Sequence, residues 1–199
     1  MIFQKSTSKI LLSILKYVGE NPTIADLSEA VNMTHVGLWK VLKKLQTEKM
    51  IVLKHANDKK NSVFTILLDW SNPLVEKTLS LALEQEAATQ RRWYVNFADL
   101  KSSVDFLVLY GSILSSPQNA NDIDILYIVS KKESFLEIDK KIANIQKTQL
   151  KKIHAIDFSS DELKEQLNKP NIAFINAIKE GVVLFGQDKY IKFIRGIKK

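Results

Sequence analysis

The amino-acid sequence predicts an α+β protein, in which a small helix-rich domain is tied by a helical connector to a mixed-sheet domain. Three observations carry that prediction. Apolar residues recur at helical spacing through residues 8–48 and then give way to two β-prone runs around a polar tip. A second helical stretch follows the turn sequence DWSNP and covers residues 74–100. Beyond it, a run of five apolar residues, Phe106 to Tyr110, is separated by a turn-rich loop from a second run at residues 123–129. The expected boundaries are residues 1–70 for the first domain, 71–102 for the connector and 103–199 for the second domain.

Ile10, Leu11, Ile14, Leu15 and Val18 place an amphipathic helix over residues 8–18, stopped by Gly19 and Pro22. Thr23 is an N-cap for a short second helix, with Asp26 three positions on and Leu27, Ala30 and Val31 facing inward. Asn32 and Met33 turn the chain. Thr34 then caps a third helix running to about Glu48, with Leu38, Val41, Leu42 and Leu45 as its buried stripe. IVLKHANDKKNSVFTILL reads as a hairpin with a long tip at residues 56–62.

Helix, short helix, turn, helix and hairpin resembles the winged helix-turn-helix DNA-binding domains of many prokaryotic transcription regulators. The resemblance implies double-stranded DNA as partner and the third helix in the major groove. Thr34, His35 and Gly37 would lie nearest base edges, Lys40, Lys43 and Lys44 nearest phosphates, and Lys54, Lys59 and Lys60 on the wing. Trp39, beside the core stripe, is expected to pack at the domain edge. The three histidines, His35, His55 and His154, are far apart without i, i+4 pairing, so no histidine metal site is expected.

Asn72 and Pro73 open the connector, which can be one long helix or two, with Leu79, Ala82, Leu83 and Val95 among its apolar positions. A single helix of about 27 residues would run about 40 Å, longer than either domain needs, so a homodimer through this helix is expected. Two copies would also suit the reading of two half-sites. Arg91, Arg92, Trp93 and Tyr94 are expected to join the domains.

Asp124 interrupts the second apolar run, where a carboxylate needs a reason. In a strand, residues two apart share a side, so Asp122 and Asp124 would project together while Ile123 and Ile125 face the other layer. Two such charges about 5 Å apart repel by about 3 kcal/mol at an effective dielectric of about 20. A divalent cation offsets this repulsion, and Mg²⁺ combines one or two carboxylates with phosphate oxygens and water. Backbone amides after Gly111, at an expected helix start, could meet the phosphates.

Leu109-Tyr110-Gly111-Ser112, nine residues, then Asp122-Ile123-Asp124 resembles the motif of the minimal nucleotidyltransferases of the DNA polymerase beta superfamily. The resemblance covers residues 91–186, and GVVLFG at residues 181–186 looks like the strand that closes such domains. It implies transfer of a nucleoside monophosphate from Mg-NTP, with ATP the expected nucleotide, to a hydroxyl acceptor. Asp122 and Asp124 would be catalytic and hold metal, and Gly111 and Ser112 would bind the triphosphate. The rival reading is a transcription regulator whose second domain is inactive and serves as nucleotide sensor or dimerisation module.

Phe135, Leu136, Ile138, Ile142 and Ile145 mark a helix over one face of the sheet, and KKIHAIDF is the next strand. There Ile153, Ala155 and Asp157 share one face. Asp157 is either the third carboxylate, which the resemblance implies would help hold metal and could deprotonate the attacking hydroxyl, or the end of its strand leading into a helix start at Ser159-Ser160-Asp161-Glu162. A helix around residues 172–179 and a strand at residues 182–185 follow. Lys192, Arg195, Lys198 and Lys199 are read as a solvated basic tail.

Composition narrows the classes. The chain has 199 residues, 45% hydrophobic and 26% charged, which is globular rather than disordered. It has no cysteine, so disulfides and thiolate metal sites are excluded, and a cytoplasmic location is expected. No run approaches the length of a membrane span, and no membrane partner is expected. Lys and Arg outnumber Asp and Glu by 10 to 6 in residues 1–70 and by 10 to 6 in residues 150–199, against 9 to 10 between them. Both ends are therefore basic, which favours a polyanion as partner.

Overall fold

The computed structural model describes residues 5–18, 21–55, 63–130, 135–169 and 171–197, an α+β chain that divides into two compact units, Met1–Ala82 and Leu83–Lys199. Lys59 and Lys60 fall outside the described residues, as do Lys198 and Lys199.

In the first unit, α1 (Lys5–Lys16), α2 (Ile24–Val31) and α3 (His35–Thr47) precede an antiparallel pair, β1 (Ile51–His55) and β2 (Phe64–Leu68). Local chemistry sets the helix starts. The Thr23 hydroxyl accepts from Asp26 N, and the Asp26 carboxylate accepts from Thr23 N at 2.7 Å, a reciprocal cap. Thr34 caps α3 through Gly37 N at 3.2 Å. Asn32, in the left-handed region at φ 53°, ends α2. Ile10, Leu11, Ile14 and Leu15 pack into one core with Leu27, Leu38, Leu42 and Ile66. Ala30, expected inside, is exposed, and Ser28 is buried in its place because its hydroxyl donates to Met33 O. A bridge between Thr23 and Thr65, with Ile66 N donating to Pro22 O, adds the α1–α2 connection to the hairpin edge.

The division between units falls inside α4 (Pro73–Thr89), not at residues 70 and 102. The stretch expected as one long helix or two is three pieces: α4, the short α5 (Arg91–Asn96) and a 3-10 turn (Ala98–Leu100). Seventeen residues make α4 about 25 Å long, well short of the 40 Å of an unbroken helix. Trp93, Phe97 and Leu100 are buried in the core of the second unit, whereas Val95 is exposed.

That second unit is built on a four-stranded mixed sheet of order β5-β4-β3-β6. β3 (Phe106–Tyr110) runs antiparallel to β4 (Asp122–Ile128) and to β6 (Val182–Phe185), and β5 (Lys152–Phe158) runs parallel to β4. Leu107, Leu109, Ile123, Ile125 and Tyr127 pack on one face with Trp93, Phe97 and with Ile138 and Ile145 of α7 (Phe135–Gln146). On the other face Phe106 meets Tyr190 edge-on at 5.4 Å and Phe193 at 5.3 Å. Tyr190 and Phe193 belong to α10 (Gln187–Ile197), a helix where a solvated tail was expected; Lys192 and Arg195 occupy its exposed side. One turn, α6 (Ser112–Ser115), lies between β3 and β4, and α8 (Ser160–Asn168) and α9 (Ile172–Glu180) lie between β5 and β6. The register of β5 is pinned by Gln146, whose amide accepts from Ile153 N at 2.8 Å and donates to Lys151 O at 3.1 Å.

Candidate functional site

Alternation along β4 does what its sequence predicts. Ile123 and Ile125 are buried, while Asp122 and Asp124 project from the other face with side chains 30% and 22% exposed. Asp124 is paired across the sheet with Tyr110, the last residue of β3, so the carboxylates stand beside the Gly111 corner. The contact there is close. A Cβ on Gly111 would come within 2.4 Å of Asp124 Oδ2, and the Gly111 backbone, at φ 82° and ψ −166°, is one that only glycine adopts readily. The backbone favours glycine here, and the contact ties any added side chain to the position of the Asp124 carboxylate. Ser112 follows it, exposed, and opens α6. That helix is a single turn of four residues, so phosphate binding there would rest on individual amides and not on a helix dipole.

The third member of the cluster is not the expected one. Ile153, Ala155 and Asp157 do share a face, but β5 pairs Ile153 with Ile123 and Asp157 with Tyr127, which is the face opposite the carboxylates. Asp157 is exposed, and with Asp139 it adds to burial in pushing the Tyr127 hydroxyl up. His154 stands beside the two aspartates instead. Paired with Asp124 in the parallel register, it places Nδ1 3.2 Å from Asp122 Oδ2 and 3.6 Å from Asp124 Oδ1. Ligand atoms of Asp122, Asp124 and His154 all lie within 4.8 Å of one another. Sequence spacing among the histidines hid this residue, because its partners are carboxylates on the neighbouring strand and not other histidines. Lys152, exposed and in register with Asp122, is a second residue on this edge that sequence reasoning passed over.

Burial, and then the charge of Asp122, push the Asp124 carboxyl above its ordinary value, with His154 pulling the other way. Burial and the two aspartates also push the Tyr110 hydroxyl up. The two carboxylates and one imidazole nitrogen are close enough together to serve as ligands of one divalent cation. Beside it, a cavity of about 270 Å³ separates Tyr110, Gly111 and Ser115 from Ala173, Asn176 and Glu180 on one side of α9.

In the first unit, His35, Lys40, Lys43, Lys44 and Lys54 are exposed. Val36, 69% exposed, shares a stripe of α3 with Lys40 and Lys43 at i, i+4 and i+7, and its exposure singles out a residue that the sequence reading omitted. Thr34 and Gly37 are occupied by the cap they form together. Lys43 lies 4.7 Å from the Trp39 ring centroid and donates to Gln46 Oε1 at 3.3 Å. Trp39 itself packs on Phe64 of the hairpin at 5.7 Å, as expected of an edge residue. Among the described residues, no helix is long and apolar enough to cross a membrane. Comparison of the chain with protein-family models, with curated proteins and with solved structures gave no match in any of the three.

Proposed function

We propose that the second unit is a nucleotidyltransferase-like domain that binds a metal-bound nucleoside triphosphate at Asp122 and Asp124, and that the first is a winged helix that docks on duplex DNA. The observation that carries the nucleotide reading is the meeting of Asp122, Asp124 and His154 around the Gly111-Ser112 corner. In the transfer, the acceptor hydroxyl oxygen bonds to the α-phosphorus as the bridging P–O bond to the β-phosphate breaks. Pyrophosphate leaves and the acceptor's proton passes to water. A divalent cation at this site supplies charge neutralisation on the phosphate oxygens. Asp122 and Asp124 hold it, Gly111 lets phosphate approach the backbone, Ser112 offers a hydroxyl, and the cavity facing α9 receives the nucleoside. The lysines of α3 and β1 support the DNA reading through their exposure on docking elements.

A second reading, nucleotide binding without transfer in a regulator, is favoured by one observation. Asp157 lies on the opposite sheet face, leaving His154 on β5 as the residue beside the carboxylates. Incubation with α-labelled NTPs, divalent cation and cell extract separates the two. Transfer labels an acceptor with the wild type and not with Asp124→Ala. A nucleotide-dependent rise in melting temperature without any label selects the second reading, and an unchanged melting curve removes nucleotide from both.

A further inference from the structure

The cation expected at a pair of aspartates is Mg²⁺, which takes oxygen ligands almost exclusively and keeps much of its water. Here the donor set differs. His154 Nδ1 stands 3.2 Å from Asp122 Oδ2 and 3.6 Å from Asp124 Oδ1. Ligand atoms bound about 2.1 Å from one metal are about 3.0–3.4 Å apart for octahedral or tetrahedral angles, so the separation from Asp122 already matches an edge of a coordination shell and that from Asp124 needs only a small closure to match one. The imidazole reached this position through the parallel pairing of His154 with Asp124, on an edge strand whose register Gln146 holds. Imidazole suits the borderline first-row cations, and affinity for such mixed nitrogen and oxygen sites rises along that row.

We infer that Asp122, Asp124 and His154 form a three-ligand site selective for a divalent first-row transition cation such as Mn²⁺ or Zn²⁺ over Mg²⁺, with His154 the residue that sets the preference. Three protein ligands leave positions for water or for phosphate oxygens. His154 is thereby a ligand in its own right and not a spacer between two repelling carboxylates.

The inference uses the carboxylate pair on which the nucleotide reading rests, and its test omits nucleotide so that failure of either is told from failure of the other. Full-length protein is stripped with EDTA and titrated separately with MgCl₂, MnCl₂ and ZnCl₂, following the thermal unfolding midpoint, and with CoCl₂, following visible absorption. The wild type is expected to respond to Mn²⁺ and Zn²⁺ at concentrations at least tenfold below those needed of Mg²⁺, and to develop cobalt bands. His154→Ala should lose the difference between cations and the cobalt bands. His154→Asn, which keeps a polar group but offers oxygen, should move the preference toward Mg²⁺, with circular dichroism confirming that both variants fold. A response to Mg²⁺ at equal or lower concentration than to Mn²⁺ and Zn²⁺, or an unchanged preference in either variant, overturns the inference, as does the absence of response to any cation.

Discussion

Replacing Gly111 with alanine separates the cost to folding from the cost to the site. The glycine backbone lies at φ 82° and ψ −166°, where an ordinary L residue costs about 1–3 kcal/mol. The added methyl group would stand 2.4 Å from Asp124 Oδ2 and 3.3 Å from Asp124 Cγ. The oxygen is the free end of a side chain that can rotate, so the overlap is relieved at little cost to stability. Rotation, however, carries the carboxylate away from His154. Backbone strain therefore dominates the stability loss, equivalent to a fall of about 3–6 °C in the melting temperature of the second unit per kcal/mol. Cation affinity should fall further in relative terms, by about 10–100-fold, as when the support of a metal ligand is removed. Calorimetry and Mn²⁺ titration of the wild type, Gly111→Ala, Asp124→Ala and the double variant test this. The backbone strain of Gly111→Ala should persist when the Asp124 carboxylate is gone, so its stability cost should remain in the double variant, whereas the binding losses should not add, because both variants disable the same ligand. Wild-type affinity in Gly111→Ala, or an unaltered melting temperature, would refute the reasoning.

Other outcomes follow from features distant from that corner. Asp105, at the foot of β3, accepts from Lys189 Nζ at 2.5 Å and from the Ser130 hydroxyl. Burial alone would raise its pKa, but these hydrogen bonds and the Lys189 charge outweigh it and hold the carboxyl below its ordinary value. The stability this gives is present above the ordinary carboxylate pKa and is lost as pH falls through the lowered one, so Asp105→Asn should melt lower at pH 7 and lose part of the acid sensitivity; melting curves superimposed on the wild type from pH 7 to about pH 3 would count against it. Four exposed lysines, Lys40, Lys43, Lys44 and Lys54, predict a slope of about −3.6 per protomer for log DNA affinity against log salt, reduced by about 0.9 in Lys40→Ala; binding indifferent to salt would dismiss DNA. Thr34→Ala removes the cap of α3 and should cost about 1 kcal/mol in urea unfolding, an effect absent if Gly37 N finds another acceptor.

Features set by near neighbours in the chain were legible in the sequence. Thr23 with Asp26, Thr34 with Gly37 and Asn72 before Pro73 each cap within three residues, and β4 displays its carboxylates because alternation is local. Ala30 was misplaced because the inward turn of α2 is decided by the Ser28 bond to Met33 O, which period alone does not reveal. Lysines masked the spacing of Tyr190, Ile191, Phe193 and Ile194, and with it α10. The exchange of Asp157 for His154 has a deeper cause. Alternation along β5 correctly groups Ile153 with Asp157, but which group faces Asp124 depends on how β5 is slid against β4, across α7 and the intervening turn.

That sliding makes residue count as consequential as residue identity. One amino acid added to or deleted from the turn at residues 147–151, if absorbed by the strand, would bring Ile153 or Ala155 opposite Asp124 and turn His154 toward the greasy layer against α7. Lineages carrying this chain should therefore tolerate spelling changes in that turn far more readily than insertions or deletions. A frame kept to the letter there would be the fossil imprint of the imidazole's task.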